Sequence, residues 1–388
     1  MRQARVVDMA LGKWEKVSII RENGEAAEAQ APVIVSASRS TDIPTYYPDW
    51  FFHRLKVGYS AWTNPFNGER LFVDYRNTRF IVFWSKQPLP MLPYLDQLKE
   101  RENPIDCYLQ YSLNDYETVK AGEDDLGIEL RLATLQSRID TFFQYSEKLG
   151  KDRVIWRFDP LLLTNRIDVD SLLERIERVG DQLYQYTNRL VFSFADIACY
   201  RSVQNNLRRY GIQYEEWTKE KMEIFTAGLA RLNEKWKLEL ATCGEEIDLD
   251  QFGVRHSHCI DEDLIIRLAW RDEALMNYLK VQIIDAACLQ QNIFGEISES
   301  TDANMIKLSE GKFAIKHKPK RGNVIAFYKD KGQREACGCT AAKDIGEYKT
   351  CLHRCQYCYA NGDKSWDVLL ANWKKHCANR FGETITGD

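Results

Sequence analysis

Residues 33–42 read Val-Ile-Val-Ser-Ala-Ser-Arg-Ser-Thr-Asp, an apolar, β-branched run that passes directly into polar side chains. Such a run, 4–8 residues long, is typical of a buried strand. Five similar runs follow it: Phe80–Trp84, Cys107–Tyr111, Val154–Phe158, Leu190–Phe194 and Leu238–Thr242. Segments of helical period separate them, near 48–57, 90–101, 132–150, 170–187, 200–210 and 217–236. This alternation predicts a parallel sheet covered by helices, either a barrel or a doubly wound fold.

The polar residues at the ends of the runs favour the barrel. All six runs end in polar or ionisable side chains, and (β/α) barrels build their active sites at the carboxyl ends of their strands. We therefore expect an α/β protein with a TIM-like (β/α) barrel of about six parallel strands, either incomplete or closed by the C-terminal tail.

The expected barrel spans residues 32–270. Residues 1–31 are predicted to form a β-hairpin appendage, because Asn23-Gly24 is a strong two-residue turn signal. Residues 271–330 are predicted to form a helical and β insertion with a strand at Val324–Tyr328. Residues 331–388 form a cysteine-rich C-terminal segment that is expected to end in a helix at 367–379.

Composition excludes several classes of protein. The 388 residues carry 53 Lys and Arg against 57 Asp and Glu, a net charge of −4, which does not suit a protein that coats DNA. A basic stretch with Lys312, Lys316, Lys318, Lys320 and Arg321 is interpreted as a solvated face, with nucleic-acid contact as the less favoured alternative. No apolar run reaches 18 residues, and no secretory signal is recognisable, so we expect a cytoplasmic protein without a membrane partner.

The cysteines give the strongest functional signal. Five of the 11 cysteines lie between positions 337 and 358, and in a reducing compartment such clustering favours metal over disulfides. Cys351, Cys355 and Cys358 follow a C-x3-C-x2-C spacing. Three thiolates on one tight loop can hold three irons of a cubane cluster and leave the fourth iron open to a small chelator. A zinc knuckle and a chance grouping of structural cysteines are the alternatives.

Four further thiols could hold a second cluster. They are Cys243 at a strand end, Cys259 in the next loop, and the pair Cys337 and Cys339. Four thiolates are the complement of a fully protein-ligated [4Fe-4S] cluster, whereas a four-cysteine zinc site and inert thiols are the alternatives. Such a cluster would pin the tail over the active face of the barrel.

Ionisable residues after the strands are candidates for catalytic groups. They are Arg39, Asp42, Lys86, Arg157, Asp159 and Glu245. Asp42 could instead cap the following helix. An arginine that points into the barrel mouth needs a partner, and Asp159 or Asp196 could pair with Arg157.

The cysteine triad and the aromatic residue Tyr357 resemble the cluster loop of radical S-adenosylmethionine enzymes. The resemblance implies a [4Fe-4S] cluster, S-adenosylmethionine on its open iron, and Tyr357 beside the adenine. It also implies a 5′-deoxyadenosyl radical that abstracts hydrogen from an unknown substrate, and a reductant such as ferredoxin or flavodoxin. In those enzymes the loop follows the first strand, and a glycine-glycine-glutamate segment binds the cofactor. Gly244-Glu245-Glu246 is the nearest counterpart here, so Glu246 is assigned to cofactor binding. Asp196, which follows the run Leu190–Phe194, is assigned to cofactor binding as well.

A second resemblance covers nearly the whole chain. Its motifs are Val35–Pro44, Thr63–Asn67, Phe83–Lys86, Val154–Pro160, Glu245–Asp248, Cys337-Gly-Cys339 and Asp344–Tyr348. Together they are similar to the bacterial domain-of-unknown-function family 1848, which has a C-terminal cysteine cluster like the N-terminal one of radical enzymes. We therefore expect an iron–sulfur protein with one or two clusters that performs radical chemistry. A non-catalytic iron–sulfur redox protein and a zinc-stabilised binding module are the alternatives.

Overall fold

The structure is a computed structural model that describes residues 14–64, 67–116, 127–286, 305–316, 337–360 and 366–387. Its strands are β1 Lys16–Ile20, β2 Ala26–Gln30, β3 Ile34–Ala37, β4 Tyr59–Thr63, β5 Arg70–Asp74, β6 Phe80–Ser85, β7 Asp106–Ser112, β8 Val154–Leu161, β9 Leu163–Thr164, β10 Arg189–Phe194, β11 Tyr214–Glu215, β12 Glu239–Cys243, β13 Val254–Ser257, β14 Val281–Asp285, β15 Met305–Lys307, β16 Lys312–Lys316 and β17 Lys343–Asp344.

The helices lie close to their predicted positions. They are α1 Ile43–Tyr46, α2 Pro48–Val57, α3 Leu135–Leu149, α4 Val169–Leu183, α5 Arg201–Arg209, α6 Lys219–Trp236, α7 Glu262–Ala269, α8 Glu273–Tyr278 and α9 Trp366–Ala378, with 3₁₀ segments at Leu89–Leu98, Lys151–Arg153 and Asp250–Phe252. Residues 262–278 form two helices, α7 and α8, because the Asp272 side chain accepts a hydrogen bond from the Leu275 amide and starts α8.

An eight-stranded sheet with only parallel pairs forms the centre of the fold, in the order β13-β12-β10-β8-β7-β6-β3-β17. All six predicted strands belong to it, and β13 and β17 add an unpredicted strand at each edge. In the described residues these two edge strands do not pair with each other, so the sheet does not form a closed barrel. The α/β class and the parallel sheet are confirmed.

The two faces of this sheet are buried by different layers. Alternate side chains along each strand point to opposite faces. One face packs against the helices α1 to α6 through residues such as Val35, Phe83 and Trp156. The other face packs against α7, α8 and the small sheet β14-β16-β15 through the row Ile34, Val82, Tyr108, Ile155, Val191 and Ala241. Burial on both sides explains why the strands are continuous apolar runs.

The predicted N-terminal hairpin is present, and it is attached to the body through a sheet. β1 and β2 pair antiparallel around a turn in which Gly24 has φ +86°. β2 then pairs with β5, which pairs with β4, so a four-stranded sheet joins the N-terminus to the body. The sequence did not predict β4 and β5.

The region of the predicted insertion contributes the small antiparallel sheet β14-β16-β15. Lys312 forms an ion pair of 2.6 Å with Asp285, and Lys316 pairs with Asp263. The predicted strand Val324–Tyr328 and the basic residues 318–321 lie outside the described residues. Among the described helices, none has the length and apolarity needed to span a bilayer.

Candidate functional site

The face of the central sheet that packs against α7, α8 and the small sheet is called the inner face, and it changes from apolar to polar along the strands. Two residues beyond the apolar row, the same face carries Ser36, Trp84, Gln110, Arg157, Ser193 and Cys243. An offset of two residues keeps these side chains on one face, and the parallel register places them near the carboxyl ends of neighbouring strands. The sheet therefore presents polar side chains near the carboxyl ends of its strands, where the sequence predicts a site.

A cavity of about 390 Å³ lies at these strand ends. Among its lining residues are all seven predicted cluster cysteines: Cys243, Cys259, Cys337, Cys339, Cys351, Cys355 and Cys358. Eight of the nine other predicted site residues line it as well: Arg39, Asp42, Lys86, Arg157, Asp159, Asp196, Glu245 and Tyr357. The fold thus brings together groups as far apart in sequence as Arg39 and Cys358.

Strand β17 brings the C-terminal tail to the cavity. It extends the central sheet beside β3, with Asp344 opposite Ser36. The Asp344 carboxylate accepts hydrogen bonds of 2.9 Å from the hydroxyls of Ser36 and Ser38, and one of 2.8 Å from the Arg39 amide. The tail is therefore attached to the end of β3, where the first strand-end motif begins.

Residues 351–358, the triad loop, are held to the same strand end by a buried histidine. His353 Nε2 lies 2.8 Å from Asp42 Oδ2, and its Nδ1 lies 3.0 Å from the Tyr46 hydroxyl. Asp42 also caps α1 and accepts a hydrogen bond of 2.9 Å from the Lys86 amide. Burial opposes the charged form, but His353 and the Lys86 amide hold the pKa of Asp42 below its usual value. The capping role that the sequence left open is therefore present, and Asp42 also positions the triad loop.

A buried polar network fixes Tyr357. Its hydroxyl donates a hydrogen bond to Glu129 and accepts one of 3.2 Å from Asn114 Nδ2. Lys86 Nζ donates to Glu129 at 2.8 Å and lies 5.3 Å from the centroid of the Tyr357 ring. Burial opposes the charged form, but Lys86 and the tyrosine hydroxyl hold the pKa of Glu129 below its usual value. Glu129 also pairs with Cys355 through the backbone, so the network supports the triad loop.

Cys243, Cys259, Cys337 and Cys339, the four-thiol group, lie in contact with one another. Cys243 Sγ is 2.6 Å from Cys259 Sγ, and the Cys259 thiol is hydrogen-bonded to Cys339. Cys339 is in turn hydrogen-bonded to Cys337, and this bond lowers the pKa of the Cys337 thiol to about 7. Because thiolates are the ligands of iron and zinc, this group has the chemistry of a metal site.

Arg157 connects the four-thiol group to the cavity. Its guanidinium donates hydrogen bonds to Cys259 Sγ at 3.3 Å and to Asp159 Oδ2 at 3.1 Å, and it lies 5.3 Å from the centroid of the Trp84 ring. The buried arginine therefore has the Asp159 partner that the sequence suggested. Burial opposes the charged carboxylate, but Arg157 and the hydroxyl of Ser193 hold the pKa of Asp159 below its usual value.

The remaining predicted residues differ in their placement. Arg39 lies 5.7 Å from the Trp84 ring centroid, on the cavity wall. Glu245 Oε1 accepts a hydrogen bond of 2.9 Å from a backbone amide at the end of β10. Asp196 is exposed at the cavity rim. Glu246 is exposed and does not line the cavity, unlike its neighbour Glu245.

Both thiol groups consist of side chains that, as thiolates, can bind iron or zinc. Within the described ranges, no three His, Cys, Asp or Glu side chains are placed around one metal ion.

Sequence reasoning missed Glu129, Asp344 and Trp84. Glu129 and Asp344 act through contacts 228 and 308 residues away in sequence, which no local pattern reveals. Trp84 ends one of the apolar runs and was not named as a site residue, but it is half-buried and lines the cavity. Its signal was the two-residue periodicity, which places Trp84 two positions after Val82 on the inner face.

Comparison with known proteins agrees with the resemblance to the domain-of-unknown-function family 1848. The sequence profile of the family described as "Domain of unknown function (DUF1848)" matches residues 34–282 and 273–360, which is most of the chain. No curated protein and no solved structure matches. Because the match includes both the parallel strands and the two cysteine groups, the chain belongs to the DUF1848 family.

Proposed function

We propose that this protein is an iron–sulfur enzyme of the radical S-adenosylmethionine type. Cys351, Cys355 and Cys358 would hold a [4Fe-4S] cluster, and S-adenosylmethionine would occupy the adjoining cavity with a substrate that is still unknown. The observation that carries the proposal is the convergence of two thiol groups and several charged side chains on one cavity of about 390 Å³. A volume of this size suits a small-molecule ligand.

The strand arrangement supports an incomplete TIM-like barrel as the scaffold. From β3 to β13, spatial neighbours in the sheet follow the order of the chain, as in (β/α) barrels. The carboxyl ends of these strands border a single cavity, which is where barrels carry their active sites. β17 would take the place next to β3 that a further barrel strand fills in a closed barrel.

Two features of the triad loop support the proposed cofactor. When bound and reduced, a [4Fe-4S] cluster with an open iron supplies the electron that cleaves the sulfonium of S-adenosylmethionine. Tyr357 precedes the last cysteine and forms part of the cavity wall, so its ring is available to the adenine. Glu129 and Lys86 hold that ring in place, and a fixed orientation is what a binding side chain needs.

The charged groups of the cavity would bind and orient ligands. Arg39 offers a planar fork to a carboxylate, and its position over Trp84 keeps it on the cavity wall. Asp196 and Glu245 are carboxylates of the cavity lining that would face an amino group at the rim. Arg157 and Asp159 form a buried pair, so their role would be to shape the cavity and to polarise the neighbouring thiols.

The four-thiol group would hold a second, fully ligated [4Fe-4S] cluster. Four cysteines and an N–H···S hydrogen bond from Arg157 support it, because hydrogen bonds to sulfur are a normal part of cluster environments. A zinc ion bound by four cysteines is the alternative for this group. The two are distinguished by iron content and by colour.

A non-catalytic iron–sulfur redox protein is the alternative for the whole chain. It would bind one or two clusters without cleaving S-adenosylmethionine. The open cavity beside the triad loop favours the enzyme, because a protein that only transfers electrons has no need for a polar cavity with Arg39, Asp196 and Glu245 on its wall.

The test is the formation of 5′-deoxyadenosine. The protein is reconstituted anaerobically with iron and sulfide, reduced with dithionite, and mixed with S-adenosylmethionine. We expect the nucleoside from the wild-type protein and from Cys377→Ala, which changes an exposed cysteine on α9 away from the cavity. Cys355→Ala should form none. Wild-type protein that carries iron but forms no nucleoside would contradict the radical reaction and favour the redox alternative.

A further inference from the structure

Residues 38–42, which follow β3, contain a buried hydroxyl that the protein does not use. The Arg39 amide binds Asp344, and Asp42 binds His353, so this segment is held on both sides by the C-terminal tail. Thr41 is 6% exposed and lines the cavity. Among the described residues, its Oγ1 has no hydrogen-bond partner. Because a buried hydroxyl without a partner is unfavourable, a ligand atom that accepts its hydrogen bond would stabilise the site.

The guanidinium of Arg39 lines the same cavity. It lies 5.7 Å from the centroid of the Trp84 ring, and Arg157, which donates to a thiol of the four-thiol group, lies 5.3 Å from the same centroid. Arg39 is therefore near the four-thiol group, whereas Thr41 precedes Asp42, which binds the triad loop. The two side chains thus lie between the two sets of thiols, where a substrate would have to lie.

The charges of the lining favour a ligand with a single negative charge. Besides Arg39, the cavity is lined by Lys86 and Arg157, which form ion pairs with Glu129 and Asp159. The lining also contains further carboxylates, so a doubly charged phosphate would meet repulsion. An arginine fork and a neighbouring hydroxyl can donate to both oxygens of a carboxylate.

Two tyrosine rings form an aromatic surface in the lining. Tyr200 is half-buried and Tyr359 is 52% exposed, and their ring centroids lie 5.7 Å apart at an interplanar angle of 32°. Among the large apolar side chains that are exposed in the described part of the chain, Tyr359 is the one that lines this cavity. An aromatic ligand gains more from such a surface than an aliphatic one of the same size, since ring edges and faces attract each other.

We propose that the substrate is a small aromatic carboxylic acid, whose carboxylate binds Arg39 and Thr41 and whose ring packs against Tyr200 and Tyr359. This inference rests on the proposed function, because a substrate presupposes an enzyme, although the binding itself requires only the cavity. The cavity of about 390 Å³ also has to hold the proposed cofactor, and small-molecule sites span about 300–1,000 Å³. A substrate with one ring and a short acidic side chain therefore fits best.

The methionine carboxylate of S-adenosylmethionine is the other carboxylate that could bind Arg39 and Thr41. The adenine of that cofactor is proposed to lie beside Tyr357 in the triad loop, whereas Arg39 lies near the four-thiol group, on the ring of Trp84 that Arg157 also contacts. The geometry therefore favours the substrate. Competition between the two ligands distinguishes the two sources.

The experiment is isothermal titration calorimetry of the anaerobically reconstituted protein with phenylacetate, with and without saturating S-adenosylmethionine. Phenylacetamide keeps the ring without the charge, cyclohexylacetate keeps the charge without the aromatic ring, and phenyl phosphate replaces the carboxylate by a dianion. The test variants are Thr41→Val, Arg39→Lys and Tyr359→Leu. Phe381→Leu changes an exposed aromatic residue outside the cavity and is the matched control.

We expect phenylacetate to bind about tenfold more tightly than phenylacetamide and about threefold more tightly than cyclohexylacetate. Thr41→Val and Arg39→Lys should each weaken phenylacetate binding about tenfold. Tyr359→Leu should remove the preference for phenylacetate over cyclohexylacetate, and Phe381→Leu should bind as wild type. Because the Thr41 hydroxyl has no partner in the described residues, Thr41→Val should keep or raise the urea midpoint, whereas loss of a structural hydrogen bond would lower it.

Phenylacetate that binds no more tightly than phenylacetamide, or that binds Thr41→Val as it binds wild type, would overturn the proposal. So would tighter binding of phenyl phosphate. Phenylacetate binding that is lost when S-adenosylmethionine is added would assign Arg39 and Thr41 to the cofactor instead. Formation of 5′-deoxyadenosine by a protein that does not bind phenylacetate would contradict this inference alone. Phenylacetate binding without the nucleoside would contradict the radical reaction and leave the carboxylate site in place.

Discussion

The carboxylate of Asp344 accepts a hydrogen bond of 2.8 Å from the backbone amide of Arg39, which ties the C-terminal tail to the first strand of the central sheet. Its other oxygen accepts one of 3.0 Å from the amide of Gly346. Both carboxylate oxygens thus face backbone N–H groups, which can only donate. This relationship explains how a cysteine loop near the end of the chain reaches the carboxyl ends of the strands of a sheet that begins at residue 34.

Asp344→Asn should loosen the tail. The asparagine NH2 would face a backbone N–H donor in either orientation of the side chain. The substitution also removes the negative charge that strengthens these hydrogen bonds. We expect a loss of about 2–4 kcal/mol in the free energy of unfolding, measured by urea denaturation, together with faster proteolysis of the tail. Asp250→Asn, at an exposed position, serves as the control. Unchanged stability and proteolysis would show that β17 does not depend on this carboxylate.

Gly346→Ala should disturb the same junction by steric overlap. An added Cβ would lie 1.7 Å from Ser38 Oγ and 2.6 Å from Ser38 Cβ, and the serine is buried with little room to move. Overpacking of this kind costs about 1–3 kcal/mol, and we expect the reconstituted variant to retain less iron than wild type. Wild-type stability and iron content in the purified variant would mean that the junction can yield without cost.

The end of the tail should give the protein a pH-dependent stability. Glu383 accepts hydrogen bonds from Arg21 and Arg70 at 2.9 Å and from Tyr59 at 2.6 Å. Burial opposes the charged form, but Arg21 and Tyr59 hold the pKa of Glu383 below its usual value of 4.5. Its contribution is therefore complete above pH 4.5 and is lost as the pH falls through the lowered pKa.

Glu383→Gln should consequently be less stable than wild type at pH 7, by about 1–3 kcal/mol. The difference should shrink as the pH falls below about 4.5, because the wild-type carboxyl then becomes protonated. Urea denaturation of both proteins between pH 3.5 and 7 measures it, with Glu100→Gln at an exposed site as the control. A difference that stays constant over this range would contradict the ionic role of Glu383.

The sequence was sufficient for the strands that are buried on both faces. The runs that begin at Val33 and Val154 are continuous and apolar because helices or the small sheet cover each side of them. β13 and β17 could not be found in this way. β13 lies at an edge with Arg255 and His256 exposed, and β17 is two residues long and exists through its pairing with β3. The difference between a closed barrel and an open sheet depends on these two edges.

The cysteine groups could be predicted from spacing and from their positions after strands, because those signals are local. The contacts that hold them could not. His353 lies inside the C-x3-C-x2-C motif, and nothing in that motif indicates that its partner is Asp42, 311 residues away in sequence. Glu129 comes from a segment between β7 and α3 that carries no recognisable motif. Such contacts are chosen by the tertiary fold, and a single sequence contains no periodicity that encodes them.

Two cysteine variants should separate the two proposed clusters. Cys355→Ala should remove the cluster of the triad loop, and Cys259→Ala should remove that of the four-thiol group. Each variant should bind about four iron atoms fewer than wild type, and each should retain the electron paramagnetic resonance signal of the other reduced cluster. Cys107→Ala, a cysteine in β7 outside both groups, should keep the full iron content. If Cys259→Ala loses zinc instead of iron, the four-thiol group is a zinc site.

Arg157 should set the reduction potential of the second cluster. Its N–H group lies 3.3 Å from Cys259 Sγ, and hydrogen bonds and positive charge near the sulfurs stabilise the reduced, more negative state of a cluster. Arg157→Lys keeps the charge but loses the planar fork that binds the thiol and Asp159 together. We expect its potential to fall by on the order of tens of millivolts, as measured by spectroelectrochemical titration.

The proposed triad-loop cluster provides an internal control in the same titration, because the hydrogen bonds that Arg157 donates within the described residues go to Gln110, Asp159 and Cys259. Its potential should change less than that of the second cluster. Arg157→Met should lower the second potential further than lysine does, although it leaves Asp159 without its cation and should cost about 3–5 kcal/mol of stability. Lysine is therefore the decisive variant, since it keeps Asp159 paired. Equal potentials in Arg157→Lys and wild type would mean that the hydrogen bond to Cys259 holds the arginine in place without tuning the cluster.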